Sequence, residues 1–154
     1  MGRRRWHQTR ARFAEMKKKT LAKIMKVALF ELGQVHNIDV SKVRLTVNKS
    51  NFYGYFDNSY EIGVTLININ PNISLEKQLG TLCHEFRHLM QFVNDGLMWK
   101  DNRTVYYKGE KYDDIAYENQ PWEIDAEAFA KKEIWALIEI LQNRNLIVDF
   151  QIDL

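Results

Sequence analysis

The chain is short of several things, and each shortage narrows what it can be. It has one cysteine, Cys83, among 154 residues, so no disulfide can form within it. That fits a reducing, cytoplasmic setting. No apolar run approaches the roughly 18 residues that a membrane-spanning helix needs, so no transmembrane segment is expected. The first residues, MGRRRWHQTRARFAEMKKK, are not followed by the apolar stretch that precedes signal cleavage. Met-Gly opens a myristoylation pattern, but Trp6 stands where Ser or Thr is required. Histidine is scarce too: His7, His36, His84 and His88, with none further on.

What is present is enough apolar material for one domain. Hydrophobic residues make up 45% and aromatics 12%, sufficient to bury a core in a chain of this size. The net charge of +2 conceals an asymmetry. Residues 1–26 carry ten Lys or Arg against one Glu (+9), and residues 27–154 carry twelve against nineteen acids (−7). A basic arm on an acidic body can meet nucleic acid, an anionic membrane surface or an acidic partner, or simply stand solvated.

Hydrophobic periodicity divides the chain into a basic N-terminal helix or arm, 1–33, and an α+β domain, 34–154. Phe13, Met16, Ile24, Val27 and Ala28 fall at helical spacing, and Gly33 is the expected stop. With a basic polar face, this helix either binds a surface or packs its stripe on the domain's own core. Val43, Leu45 and Val47 alternate as a strand. NFYGYF reads as a second strand and DNS as a turn. EIGVTLINI reads as a third, with Ile62, Val64, Leu66 and either Ile67 or Ile69 facing one side, ended by Pro71. These imply a small, mostly antiparallel sheet. Ser74 caps a helix from about Leu75 to Asn94, ended by Gly96. VYYKGEKY suggests a hairpin about Lys108-Gly109. NQPWEIDAEAFAKKEIWALIEILQN is a second long helix, with Pro121 in its first turn. The tail LIVDFQIDL adds a strand or docks as an apolar end.

The chemistry sits in TLCHEFRHLMQF. His84 and His88, four apart, share one helix face and can grip one metal ion, zinc being the usual choice. Glu85 then points toward the open side of the ion, where it can act as general base on a zinc-bound water. A third ligand is needed. His7 and His36 lie upstream, and the pattern with a third histidine at position 94 fails, because Gln91 and Asn94 stand where Gly and His would be. Cys83 points to another side of the helix. A carboxylate remains. Among the downstream acids, only those in PWEIDAEAFA start a helix long enough to lie against the first. Glu123 and Glu127 share a face there with Ala126 and Ala130, whose small side chains permit close approach. Glu123 can bind the ion while Glu127 holds a histidine's other nitrogen. The same acids would otherwise be a dipole-stabilised helix start. Tyr117 is a candidate donor to an oxyanion or substrate, with Tyr106, Tyr107 and Tyr112 as alternatives. EIGVTLINI can pair with an extended substrate or serve as a plain core strand. Trp122 reads as an anchor for the helix.

HEFRH followed by Glu-x-x-x-Glu resembles the gluzincin metallopeptidases. EIDAEAFA resembles the Glu-x-x-Ala-x-x-Phe-Ala helix of ImmA/IrrE-like peptidases, and the combination is similar to small phage-encoded zinc peptidases. The resemblance covers residues 60–131, and residues 1–42 match no family. It implies a zincin-like fold, one zinc per chain on His84, His88 and Glu123, Glu85 as base, and a protein or peptide substrate. It also implies a cytoplasmic location (host cytoplasm or virion if phage-encoded) and a regulatory peptidase that clips a repressor-like partner. Where the family has Asp or Asn, this chain has the longer Glu127. The competing expectation is an inactive zincin-fold binding or structural protein, whose basic arm, residues 1–26, binds nucleic acid or a virion component.

Overall fold

The computed structural model describes the backbone of residues 2–59 and 64–147 and the side chains of 17–58 and 65–147. The side chains of Phe13, Met16 and the first part of the basic arm lie outside the described residues. So do Ile62, the Val64 side chain and the chain from residue 148.

The fold is α+β, with three α-helices and two small sheets among the described residues. Helix α1 spans Gly2–His36. Strands β1 (Val43–Val47), β2 (Gly54–Ser59) and β3 (Val64–Ile69) form one sheet, and α2 (Leu75–Asp95) follows. Strands β4 (Met98–Trp99), β5 (Thr104–Tyr107) and β6 (Glu110–Asp113) form the second. A 3-10 turn at Tyr117–Asn119 leads into α3 (Pro121–Asn143). Among the described residues no helix is long and apolar enough to cross a membrane.

The first sheet is mixed rather than mostly antiparallel. Its order is β1-β3-β2, with β1 parallel and β2 antiparallel to β3. Alternation marks a strand but not its neighbour; buried Asn68 on β3 adds side-chain bonds across to β1. Its Oδ1 accepts from Thr46 Oγ1 (2.7 Å) and the Asn48 N–H (3.1 Å), fastening β1 beside β3. The second sheet is antiparallel, and its β5–β6 turn has positive φ at Lys108 and Gly109, as a two-residue hairpin requires.

Three local expectations change. Helix α1 does not stop at Gly33 but runs to His36, with Asn37 left-handed behind it. Gly33 instead admits a close approach: a Cβ there would meet the Ile38 carbonyl oxygen at 2.7 Å. The division drawn after residue 33 therefore falls inside α1, whose Leu21, Met25, Ala28 and Leu32 are buried in the main core. Residues Asp57 to Ser59 belong to β2 and pair with β3 rather than forming a turn. On β3 the core face is Ile67 and Ile69, and Leu66 lies only partly buried on the other face.

Helix α2 begins as its sequence demands. Ser74 accepts the Lys77 N–H, and Gly96 ends the helix at φ 68°. Leu79, Leu82, Phe86 and Leu89 form its apolar stripe, packed with α1, α3 and the sheet. A separate small core holds the second sheet to the start of α3: Leu97, Val105, Tyr107 and Trp122.

Candidate metal centre

The two histidines of α2 stand one turn apart, ring centroids 4.9 Å from each other and nearly perpendicular. Helix α3 crosses them with Glu123 in its first turn. Glu123 Oε2 lies 2.9 Å from His84 Nε2, and Glu123 Oε1 lies 3.0 Å from His88 Nε2. Among the described residues these three offer ligand atoms within 4.8 Å of one another, a group that could hold a metal ion. Ala126, fully buried, lets the helices approach this closely.

The far nitrogens of both rings are also engaged. His84 Nδ1 lies 3.1 Å from Glu127 Oε1. His88 Nδ1 is 2.7 Å from Oε1 of Gln91, a fully buried residue. The Gln91 amide can point only one way. Its Nε2 donates to the Trp122 carbonyl (2.9 Å) and to Asp125 Oδ2 (2.7 Å), so its oxygen must face the ring. His88 Nδ1 is then an N–H, which leaves Nε2, 3.0 Å from Glu123 Oε1, as the ring nitrogen that donates to Glu123 when protonated and offers its lone pair to a metal ion when not. Asp125 is itself clasped by Arg87, Nε to Oδ2 at 2.8 Å and Nη2 to Oδ1 at 3.2 Å. Sequence reasoning missed Gln91, Asp125 and Arg87. Their spacing relates them to Glu123 only once α2 and α3 are side by side.

Electrostatics follow from burial and crowding. Burial raises the Glu123 carboxyl, but hydrogen bonds from His84 and His88 outweigh it and hold the group well below the usual carboxylate range. Burial lowers His88, yet the bond and charge of Glu123 more than offset that and raise it. Glu85 is buried, and burial pushes its carboxyl up against the opposing pull of His88 and His84. Tyr117 OH donates to Glu123 Oε2 at 3.0 Å. Burial and the Glu123 charge push this hydroxyl up, so it stays a donor.

His88 packs in a triangle of rings with Phe56 and Trp99, centroids 6.3 and 6.0 Å away, while His84 and Glu85 open onto a cleft with Tyr117 at its side. The described part of EIGVTLINI, β3, cannot pair with a substrate, because it is central and bonded on both sides; the first three residues of that stretch lie outside the described residues. Among the described residues, the edge beside α2 that has no strand partner belongs to β2. Of the other tyrosines, Tyr107 and Tyr112 pack on Trp122, which is 1% exposed. Trp122 thereby anchors the helix turn that carries Glu123. His36 packs on Phe86 and Phe129 with Nε2 3.2 Å from Glu133, and Cys83 is buried, its thiol pushed up to about 12. His7 lies outside the described side chains. No family model, no curated protein and no solved structure matches the chain.

Proposed function

We propose that the chain is a zinc-dependent metallopeptidase, zincin-like in fold, that hydrolyses peptide bonds with Glu85 as general base. One observation carries this reading. Two ring nitrogens and a carboxylate converge as lone-pair donors, with the Glu85 carboxyl buried beside them. Two imidazoles and one carboxylate, with a side left open, are the donor set of catalytic zinc sites. Zinc–ligand bonds of about 2.0–2.2 Å set the ligand atoms roughly 3.4 Å apart in a tetrahedron. The three ligand atoms here lie within 4.8 Å of one another, with one Glu123 oxygen 2.9 Å from His84 Nε2 and the other 3.0 Å from His88 Nε2, so the side chains shift to admit an ion. The resemblance of HEFRH and EIDAEAFA to gluzincin and ImmA/IrrE-like peptidases points the same way.

A bound zinc ion supplies Lewis acidity toward a water and a peptide carbonyl. The chain's own groups do the rest. Glu85 takes the proton of the attacking water and delivers it to the leaving amine, a transfer suited to a carboxyl that burial raises above its ordinary value. Tyr117, 59% exposed, can turn its hydroxyl to a carbonyl oxygen that gains charge. Gln91 and Glu127 hold His88 and His84 in the orientation that binding needs. The free edge of β2 offers backbone groups to an extended chain.

The test is direct. Purified chain should contain one zinc, and Glu123→Ala should lose most of it. Glu85→Gln should keep the metal yet lose peptidase activity by about 10²–10⁴-fold. Full activity in a metal-loaded Glu85→Gln variant would refute the mechanism.

A further inference from the structure

The cleft that opens beside His84, Glu85 and Tyr117 extends well past them between α2 and α3. Its volume is about 770 Å³, within the roughly 300–1,000 Å³ of pockets that hold small ligands or side chains. Its walls are mostly apolar, with Phe52 and Tyr53 before β2, Gly80 on α2, and Ala130, Ile134 and Trp135 on α3. Phe52, Tyr53 and Trp135 are 69%, 53% and 47% exposed, a costly set of rings to turn toward water.

These groups are held, not loose. Asn70, buried at the end of β3, donates through Nδ2 to the Ser50 and Phe52 carbonyls at 3.1 Å each. The Tyr53 carbonyl accepts the Asn70 N–H at 2.8 Å. Lys77 Nζ sits 5.3 Å from the Tyr53 ring centroid. Charge along the cleft is mixed: Glu76 and Glu127 stand against Lys77 and Lys131, with the buried Glu85 at the end nearest the histidines.

Gly80 supplies an independent sign that the space is used. The backbone does not require glycine there. A Cβ would meet nothing closer than Ile134 Cδ1, at 3.5 Å, an ordinary contact. A glycine inside a helix is unfavourable relative to alanine. What the bare position provides is room against the Ile134 wall.

We infer that this cleft receives a large apolar side chain, aromatic by preference, of the peptide substrate next to the bond that is cut. This rests on the peptidase reading above. The volume, the apolar walls and the continuity with Glu85 together select a bulky uncharged side chain over a charged or small one.

The probes are two blocked peptides, acetyl-Ala-Phe-Ala-amide and acetyl-Ala-Ala-Ala-amide, titrated by NMR into the full chain with and without zinc. The phenylalanyl peptide is expected to bind at least tenfold more tightly in both states. Gly80→Leu and Ala130→Leu, which fill the cleft from opposite walls, should each abolish the preference while circular dichroism and zinc content stay unchanged. Equal binding of the two peptides by the unaltered chain overturns the inference without recourse to any variant. A preference that survives both fillings overturns it as well. Hydrolysis is read separately in the zinc-loaded chain. Preferential binding without any hydrolysis would uphold the apolar pocket and defeat the peptidase reading alone.

Discussion

Gln91 carries no charge, and in the sequence it only stands where another histidine pattern would have glycine. In the structure it is the residue that decides which nitrogen of His88 faces Glu123. Removing its oxygen leaves the ring able to turn or to adopt the other tautomer. Gln91→Leu is therefore expected to weaken zinc binding by about 10–100-fold with the fold intact, measured by competition with a chromophoric chelator. An unchanged affinity would show that packing alone orients the ring. Protons compete with zinc for the same lone pairs, and His88 is held above the usual histidine value. The sign follows: acid favours the protonated ring, so zinc affinity falls as pH drops through the histidine range and rises toward mild alkali. Titrations at about pH 5.5 and 8 check this. Cys83 beside the motif is the opposite kind of residue. Buried, with its thiol pushed up to about 12, it should resist alkylation at neutral pH until the chain is unfolded, as mass spectrometry would read.

Among the elements, α2 joins two demands in one helix: an apolar stripe for the core and a polar stripe for the metal group. Two glycines that line the cleft at its flank separate necessity from function. At Gly54 a Cβ would meet the Asn68 carbonyl oxygen at 2.5 Å and Thr81 Cγ2 at 2.6 Å, so β2 lies on α2 only because no side chain intervenes. At Gly80 there is room. Gly80→Ala should raise stability by about 0.5–1 kcal/mol, whereas Gly54→Ala should lower it by about 1–3 kcal/mol. Chemical denaturation of the two variants compares them, and a loss at Gly80 would contradict the open wall described above. Helix α3 has its own device. Pro121 and buried Trp122 set its first turn, and Glu123 inherits its position from them.

Across the whole molecule, the second sheet acts as a clamp. Its small core holds Trp122, and the Trp122 carbonyl receives Gln91, so one ring ties the sheet, α2 and α3 together. Trp122→Ala should cost about 3–5 kcal/mol and weaken zinc binding as well, because Glu123 and Gln91 lose the same support. A variant that loses stability but keeps full zinc affinity would separate the clamp from the centre. Zinc binding should in turn raise the melting temperature of the unaltered chain, by mass action, and a chelator should reverse the gain.

Much of this was legible in the order of residues. Helical spacing from Leu75 to Val93, the Ser74 cap and Gly96 stop, the Lys108-Gly109 hairpin and Pro121 at a helix start are local facts, set by backbone sterics and hydrogen bonding within a few residues. So is the shared face of His84 and His88, and the scarcity of histidine narrowed the remaining partner to a carboxylate. Other features were beyond local reading. That β3 lies between β1 and β2 is a matter of pairing between segments far apart in sequence, among them the bonds of Asn68 to Thr46 and Asn48 some twenty residues away. That Gln91 meets His88, Trp122 and Asp125, and that Gly80 faces Ile134 across a cleft, depends on how α2 and α3 cross. Periodicity gives each helix its faces, but only packing decides which residues of two faces touch.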